Sequence, residues 1–316
     1  MKEWIKKHQV SEVECIVPDL SGAARGKIMP ASKYTDGHEL RLPRTIFLQS
    51  VTGGYPGLAE KISPADTDMY LQPDESTIRL IPWVEQKSAQ VIHDCVDENG
   101  KPIDFAPRHV LRKVLDLYEA EGWKPIIAPE LEFFIVEPNT DPTQPLRPPI
   151  GKNGRTEIEG QSYSIDAVNE FSAIFADMNA FSRIQKLELD TLIHEEGLAQ
   201  MEVNLQHGDP MDLADQAFLF KRTVRAAALK HGKHATFMAK PIANQPGNSM
   251  HIHQSMVSLD KGKNLFSTTR GMPNKLLLSH IAGLQQFMPT ASRYAMFSGI
   301  LSSPLRKSNL MTLCTR

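Results

Sequence analysis

Pro129-Glu130-Leu131-Glu132-Phe133-Phe134-Ile135-Val136 alternates two glutamates with Leu131 and Phe133 inside one of the most apolar stretches of the chain. Side chains of a β-strand point to opposite faces in turn, so a strand here sends both carboxylates to one face and the apolar residues to the other. Buried like charges call for a compensating cation or a shifted pKa. Met201-Glu202-Val203-Asn204-Leu205-Gln206 repeats the arrangement, with Glu202, Asn204 and Gln206 on one face and Glu195 seven residues upstream. Met250-His251-Ile252-His253-Gln254-Ser255 supplies a third such strand, with His251, His253 and Ser255 together. Three strands, each with a polar face in apolar surroundings, make the case for a sheet that carries chemistry on one side.

Outward from these strands the chain divides in two. Residues 13–30 read as two short strands around a Ser21-Gly22 turn, and residues 69–93 as further extended segments between prolines 73 and 82. Residues 1–99 are therefore expected to form a small β-rich domain, closed by the polar turn Asp97-Glu98-Asn99-Gly100. Helical spacing begins after Pro107, with Val110, Leu111, Val114, Leu115 and Tyr118 on one face and Gly122 as the stop. Five prolines between residues 138 and 160 predict a long loop. One helix is expected around Val168, Phe171, Phe175 and Met178, and another opened by Asp212 and ended by His231-Gly232. Helices and strands that alternate over residues 103–290 argue for an α/β or α+β second domain.

Composition narrows the function. Among 316 residues, 35 basic and 37 acidic side chains leave a net charge of -2, which removes any bulk pull toward nucleic acid or an anionic membrane. No apolar run approaches the roughly 20 residues of a membrane helix. The first nine residues show no signal peptide, and Cys15, Cys95 and Cys314 form no CxxC, which fits structural thiols in a reducing cytoplasm.

Four carboxylates with one histidine suit a hard divalent cation such as Mg²⁺ or Mn²⁺, and the lack of nearby cysteines argues against structural zinc. Gly22-Ala23-Ala24-Arg25-Gly26-Lys27-Ile28 is one residue short of a Walker A loop and reads as a hairpin turn. Gly247-Asn248-Ser249-Met250-His251 lacks the closing glycine of a nucleophile elbow, and no GxGxxG follows a strand. His231 and His234 read as helix-end residues rather than ligands.

PELEFF (129–134), HEEGLAQMEV (194–203) and KPIANQPGNSMHIHQS (240–255), together with Asp66-Thr67-Asp68-Met69-Tyr70-Leu71 and residues 234–241, resemble the glutamine synthetase family. Within it, Gln161-Ser162-Tyr163-Ser164 with Asp166 and Asn169 resembles the bacterial γ-glutamylpolyamine (γ-glutamylputrescine) synthetases. The resemblance implies a β-grasp-like N-terminal domain (1–99) and a catalytic domain (103–289) whose antiparallel strands form a half-open barrel around two Mg²⁺ or Mn²⁺ ions. It implies that Glu132, Glu195 and Glu202 hold one ion and Glu130 and His251 the other. It further implies that Gly247 approaches glutamate, and that His253 and Ser255 contact ATP. The implied reaction joins the γ-carboxylate of glutamate to an amine through γ-glutamyl phosphate, in a ring-shaped homo-oligomer (dodecamer) of the cytoplasm.

Residues 37–65 contain no aspartate, whereas an aspartate in this region of ammonia-using members of the family handles ammonium. That favours a polyamine such as putrescine or spermidine, with an ammonia-using glutamine synthetase as the alternative. Pro246 and Ser249 also depart from the ammonia-using pattern. Beyond Pro289 the resemblance ends, and residues 290–316 read as an aberrant tail, so the catalytic domain is expected to lack its last strands, substrate-binding arginines and one metal ligand. An incomplete ligase is one reading; a catalytically inactive family member acting as a binding or regulatory subunit is the other.

Overall fold

The computed structural model describes residues 1–50, 52–55 and 66–297, which fall into two compact units, Met1–Asp116 with Ile184–Lys186 and Leu117–Arg183 with Leu187–Arg316. In the first unit, β1 (Glu12–Pro18) and β2 (Ala24–Pro30) form an antiparallel hairpin. Asp19 closes its turn, with one carboxylate oxygen accepting from the Ser21 and Ala23 N–H groups at 2.9 and 2.8 Å and the other from Arg25 Nε at 2.7 Å. The Gly-Ala-Ala-Arg-Gly-Lys segment is thus a hairpin, as its sequence suggested. With β3 (Arg41–Pro43), β4 (Asp68–Pro73), β5 (Arg79–Ile81) and β6 (Ser88–Val96) it builds a sheet in the order β2-β1-β6-β4-β3, with β5 also on β6. The β1–β6 pair is parallel and the others antiparallel. Helices α1 (Lys2–Lys7) and α2 (Ala31–Thr35) contribute Ile5 and Ala31 to the buried cluster of Val13, Cys15, Val17, Met69 and Val91. Cys15 and Cys95 are buried free thiols pushed up to about 12 by that burial, so they pack as inert apolar groups. Cys314 lies outside the described residues.

The second unit is organised on one long strand. Helix α3 (Pro107–Ala120), which carries the boundary between the units, is followed by β7 (Trp123–Val136). The residue-138-to-160 loop then leads into α4 (Ile165–Asn169) and α5 (Ser172–Ile184). The sequence predicted one helix over Val168–Met178, and the structure splits it. The Glu170 carbonyl is taken by the Lys152 N–H at 3.2 Å, and its carboxylate by the Asn153 N–H at 2.8 Å, so the helical ladder breaks at that residue. β8 (Leu189–His194), β9 (Gln200–Leu205), α6 (Pro210–Lys230), β10 (His234–Thr236), β11 (Met250–Ser258) and α7 (Lys275–Phe297) complete the unit. Helix α6 opens at Asp209, not Asp212. The Asp209 carboxylate accepts from the Met211 and Asp212 N–H groups at 3.0 and 3.3 Å, and Pro210 fills the first helical position, where no N–H is needed.

All pairings of the second sheet are antiparallel, with β9 on one edge of β7, β8 beyond it, and β11 and β10 in tandem on the other edge. Pro125 and Pro129 are tolerated in this central strand because of which way their missing N–H would point. Ile127 N–H turns to the Gly208 carbonyl while Glu132 N–H turns to the Ser249 carbonyl, so odd positions donate away from β11. Neither proline therefore removes a bond to β11, and Pro129 stands just ahead of Glu130, where the pairing with β9 begins. On the apolar face of β7, Phe133 meets Phe220 of α6 and Phe237 with ring centroids 6.4 and 5.3 Å apart. Among the described residues, no helix is long and apolar enough to cross a membrane.

Candidate functional site

The register of the second sheet brings the predicted residues side by side. Glu132 lies directly opposite Glu202 across β7 and β9, and Glu130 lies opposite Asn204 on β9 and His251 on β11. Glu195 follows β8 at the start of the turn into β9. Two overlapping triads result, Glu132, Glu195 and Glu202 in one and Glu130, Glu202 and His251 in the other, each with ligand atoms within 4.8 Å of one another. Glu202 belongs to both. The structure brings together the residues that the resemblance assigned to each ion, with Glu202 also on the Glu130–His251 side.

Like charges paired across strands destabilise a sheet unless something offsets them. Glu132 and Glu202 are each only 7% exposed, and among the described residues no lysine or arginine pairs with Glu132, Glu195 or Glu202. Burial, then the charges of Glu130, Glu195 and Glu132, push Glu202 up to about 8. Glu132 is raised by burial as well, partly relieved by the Ser249 N–H. A divalent cation would offset both shifts by favouring the ionised carboxylates. His251 Nδ1 and Glu130 Oε2 stand 3.2 Å apart, close to the roughly 3 Å that separates adjacent ligands of an octahedral ion with 2.0–2.1 Å bonds. The donor set of oxygens with one imidazole nitrogen fits a hard divalent ion.

The remaining predicted residues are distributed around this cluster. His253 Nε2 is 2.8 Å from Glu130 Oε1, so Glu130 sits between the two histidines of β11. Ser255 follows two positions further along the same strand, half-buried opposite Ile126. Gly247 precedes β11, where a Cβ would come 2.7 Å from the Ala239 carbonyl oxygen; the loop needs glycine to pass that close.

Residues 104–299 match the glutamine synthetase catalytic domain family. The chain belongs to the glutamine synthetase family. Relatives include the gamma-glutamylputrescine synthetase PuuA of Escherichia coli K12, 30% identical over 92% of this chain and 62% of its own length. A glutamate–isopropylamine ligase of a Pseudomonas species is 30% identical over 82% of this chain and 57% of its own length, and a glutamine synthetase of Pyrococcus horikoshii is 30% identical over 87% and 57%. The solved structure described as apo GmaS without ligand superimposes with a TM-score of 0.67 at 27% identity, covering 85% of this chain and 59% of that one. The chain thus spans about 57 to 62% of the length of the curated relatives named here. Most of the stretch read as an aberrant tail, residues 298–316, lies outside the described residues.

Three polar side chains of this glutamine synthetase-family site escaped the sequence reading. Gln200, 1% exposed, directs Nε2 at Glu132 Oε2, the Gly247 carbonyl and Asn248 Oδ1 at 3.0, 3.1 and 3.2 Å, tying a carboxylate of the cluster to the loop before β11. One more step back along the alternation 206, 204, 202 would have reached it. Asn248 Nδ2 donates to the Thr236 and Met238 carbonyls at 3.2 and 2.9 Å, and the Ser249 N–H donates to Glu132 Oε2 at 2.9 Å. The third is Glu157, bonded to His194 from the long loop, and no local pattern marks it.

Proposed function

We propose that this chain carries the cation-binding face of an ATP-dependent glutamate–amine ligase, and that Glu132, Glu195 and Glu202 hold one Mg²⁺ or Mn²⁺ while Glu130, Glu202 and His251 hold a second. The observation that carries the reading is the pair of triads sharing Glu202, which is buried with no lysine or arginine partner among the described residues. Bound there, two divalent ions would neutralise phosphate and carboxylate oxygens, the requirement for in-line phosphoryl transfer from ATP to the glutamate γ-carboxylate. The residues of the chain supply the rest. The Ser249 N–H and Gln200 both engage Glu132 Oε2, which leaves Oε1 to face the cluster. Asn204 Nδ2 and His253 Nε2 fix Glu130 Oε1 at 3.1 and 2.8 Å, so Oε2 keeps its place beside His251. Gly247 leaves a loop without a side chain next to the cluster, where glutamate is expected, and Ser255 and His253 extend the polar face toward the ATP.

A carbon-chain amine, putrescine or spermidine in class, is the favoured acceptor, with ammonia the alternative. The stretch 37–65 holds no aspartate to deprotonate ammonium, and within it Phe47–Ser50 and Thr52–Tyr55 carry only neutral side chains. Residues 51 and 56–65 lie outside the described residues. The names of two relatives point the same way. A cytoplasmic setting and a ring-shaped homo-oligomer belong to the same proposal.

The test is Mn²⁺ binding by electron paramagnetic resonance, followed by phosphate release from ATP with glutamate and either putrescine, spermidine or ammonium. Two Mn²⁺ per chain and release stimulated by the polyamines are expected. Failure to bind Mn²⁺ would sink the ligase reading and leave the binding-subunit one, and a marked preference for ammonium would reverse the choice of amine.

A further inference from the structure

Glu130, Glu132, Glu202 and His251 are placed by strand register, but Glu195 is not on a strand. Its position depends on the turn between β8 and β9. That turn is held from outside by the long loop, at residues spaced by three. Glu157 Oε2 accepts from the Ala199 N–H at 2.7 Å, and the Glu157 carboxylate faces His194 Nε2 at 3.0 and 3.2 Å. At Gly160 the chains are so close that a Cβ would lie 1.7 Å from the Glu196 carbonyl oxygen. The Tyr163 N–H donates to the His194 carbonyl at 2.9 Å. On the other side of the imidazole, His194 Nδ1 donates to the Glu195 carbonyl at 2.7 Å. The His194 side chain is fully buried and that of Glu157 only 9% exposed, so the linkage is shielded from solvent, where each bond is strong and each lost partner is costly.

We propose that Glu157 is a positioning residue: through His194 and the Ala199 N–H it fixes both ends of the β8–β9 turn, and so sets the cation affinity of the Glu132/Glu195/Glu202 triad while leaving the Glu130/Glu202/His251 triad alone. The inference rests on the cation-binding reading given above. Its selectivity comes from the geometry. Glu202 and Glu132 keep their places through the β7–β9 ladder when the turn loosens, whereas Glu195 has only the turn, in which its own N–H donates to the Gln200 carbonyl at 2.8 Å. Glutamine can stand in for Glu157, because its oxygen still accepts from Ala199 and its amide can donate to the Nε2 of a neutral His194. Alanine can do neither.

The test measures Mn²⁺ affinity by paramagnetic resonance on the full chain, as wild type, Glu157→Ala, Glu157→Gln and His251→Ala, and as the Glu157→Ala/His251→Ala pair. Glu157→Ala is expected to weaken one of two sites by about 10–100-fold, the range for residues that orient a metal ligand, with the other within about twofold. Glu157→Gln is expected to retain most of the affinity, and the double variant to lose both sites. If Glu157→Ala does not fold, Glu157→Asp, too short to reach both partners, is expected to weaken the same site. Equal weakening of both sites, unchanged binding, or a glutamine variant no better than alanine or aspartate overturns the role of Glu157. Wild-type chain that binds no Mn²⁺ overturns the cation-binding reading instead.

Discussion

Glu202 is where the two triads compete and combine. It faces Glu132 across the strand pair, has no basic partner among the described residues, and burial with three neighbouring carboxylates opposes its charge. A group kept for ligation rather than for folding should show opposite effects on the two when neutralised. Glu202→Gln is expected to raise the stability of the cation-free chain by about 1–2 kcal/mol at pH 7.5, less than the full shift implies because solvent reaches the outer side of the cluster. The same change is expected to weaken both Mn²⁺ sites, since Glu202 serves both. Urea midpoints without metal and paramagnetic titrations with it provide the check; a lower midpoint, or loss at one site only, contradicts the shared role. At this scale the sequence was informative wherever ligands sit on strands. Alternation within an apolar run fixes the face of Glu130, Glu132, Glu202 and His251, because the period of a strand is fixed at two. Glu157 was invisible, since its partners lie 37 and 42 residues away and a loop has no period to extrapolate.

The turn between β8 and β9 is built as tightly as the strands it joins. Gly197 lies over Phe134, which is on the same face of β7 as Glu130 and Glu132. A Cβ there would come 2.6 Å from both the Phe134 ring and Gln200 Oε1. The Gly197 N–H donates to that same Gln200 oxygen at 2.9 Å, so Gln200 is oriented by the turn and in turn orients Glu132. Neither Phe134, fully buried, nor Gln200, 1% exposed, has room to yield. Gly197→Ala is therefore expected to cost about 1–3 kcal/mol, the usual penalty of overpacking, and to weaken Mn²⁺ binding by the triad that contains Glu132. Thermal melting and metal titration of the variant test this, and a melting temperature equal to that of the wild type refutes the packing argument. Element boundaries were less legible than element types. The break at Glu170 comes from hydrogen bonds to Lys152 and Asn153, and the α6 start moved to Asp209 because Pro210 can occupy only the first turn. Both are decided by partners or backbone chemistry that hydrophobic periodicity does not register.

For the whole molecule, length and composition said least. A chain of 316 residues with a net charge of -2 reads as an ordinary pair of domains, and only the comparison with relatives shows that it spans about 57 to 62% of their length. What does distinguish the two units is how their buried polar groups respond to acid. His93, 1% exposed in the first unit, has Nδ1 2.9 Å from the Val91 carbonyl, and burial lowers it to about 4 from 6.5. A histidine with a depressed folded pKa binds its proton only on unfolding, so its contribution to stability is complete above pH 6.5 and is lost as the pH falls toward 4. Between pH 7 and pH 5 the first unit is expected to lose about 2 kcal/mol from this residue alone. Trp4 and Trp83 report on the first unit and Trp123 on the second. In a Trp123→Phe chain, the urea midpoint followed by fluorescence should fall on acidification, and His93→Gln should remove most of that slope. A Trp4→Phe/Trp83→Phe chain, which reports the second unit, should show no dependence on His93. An unchanged slope in the His93 variant would place the acid sensitivity elsewhere and refute the assignment.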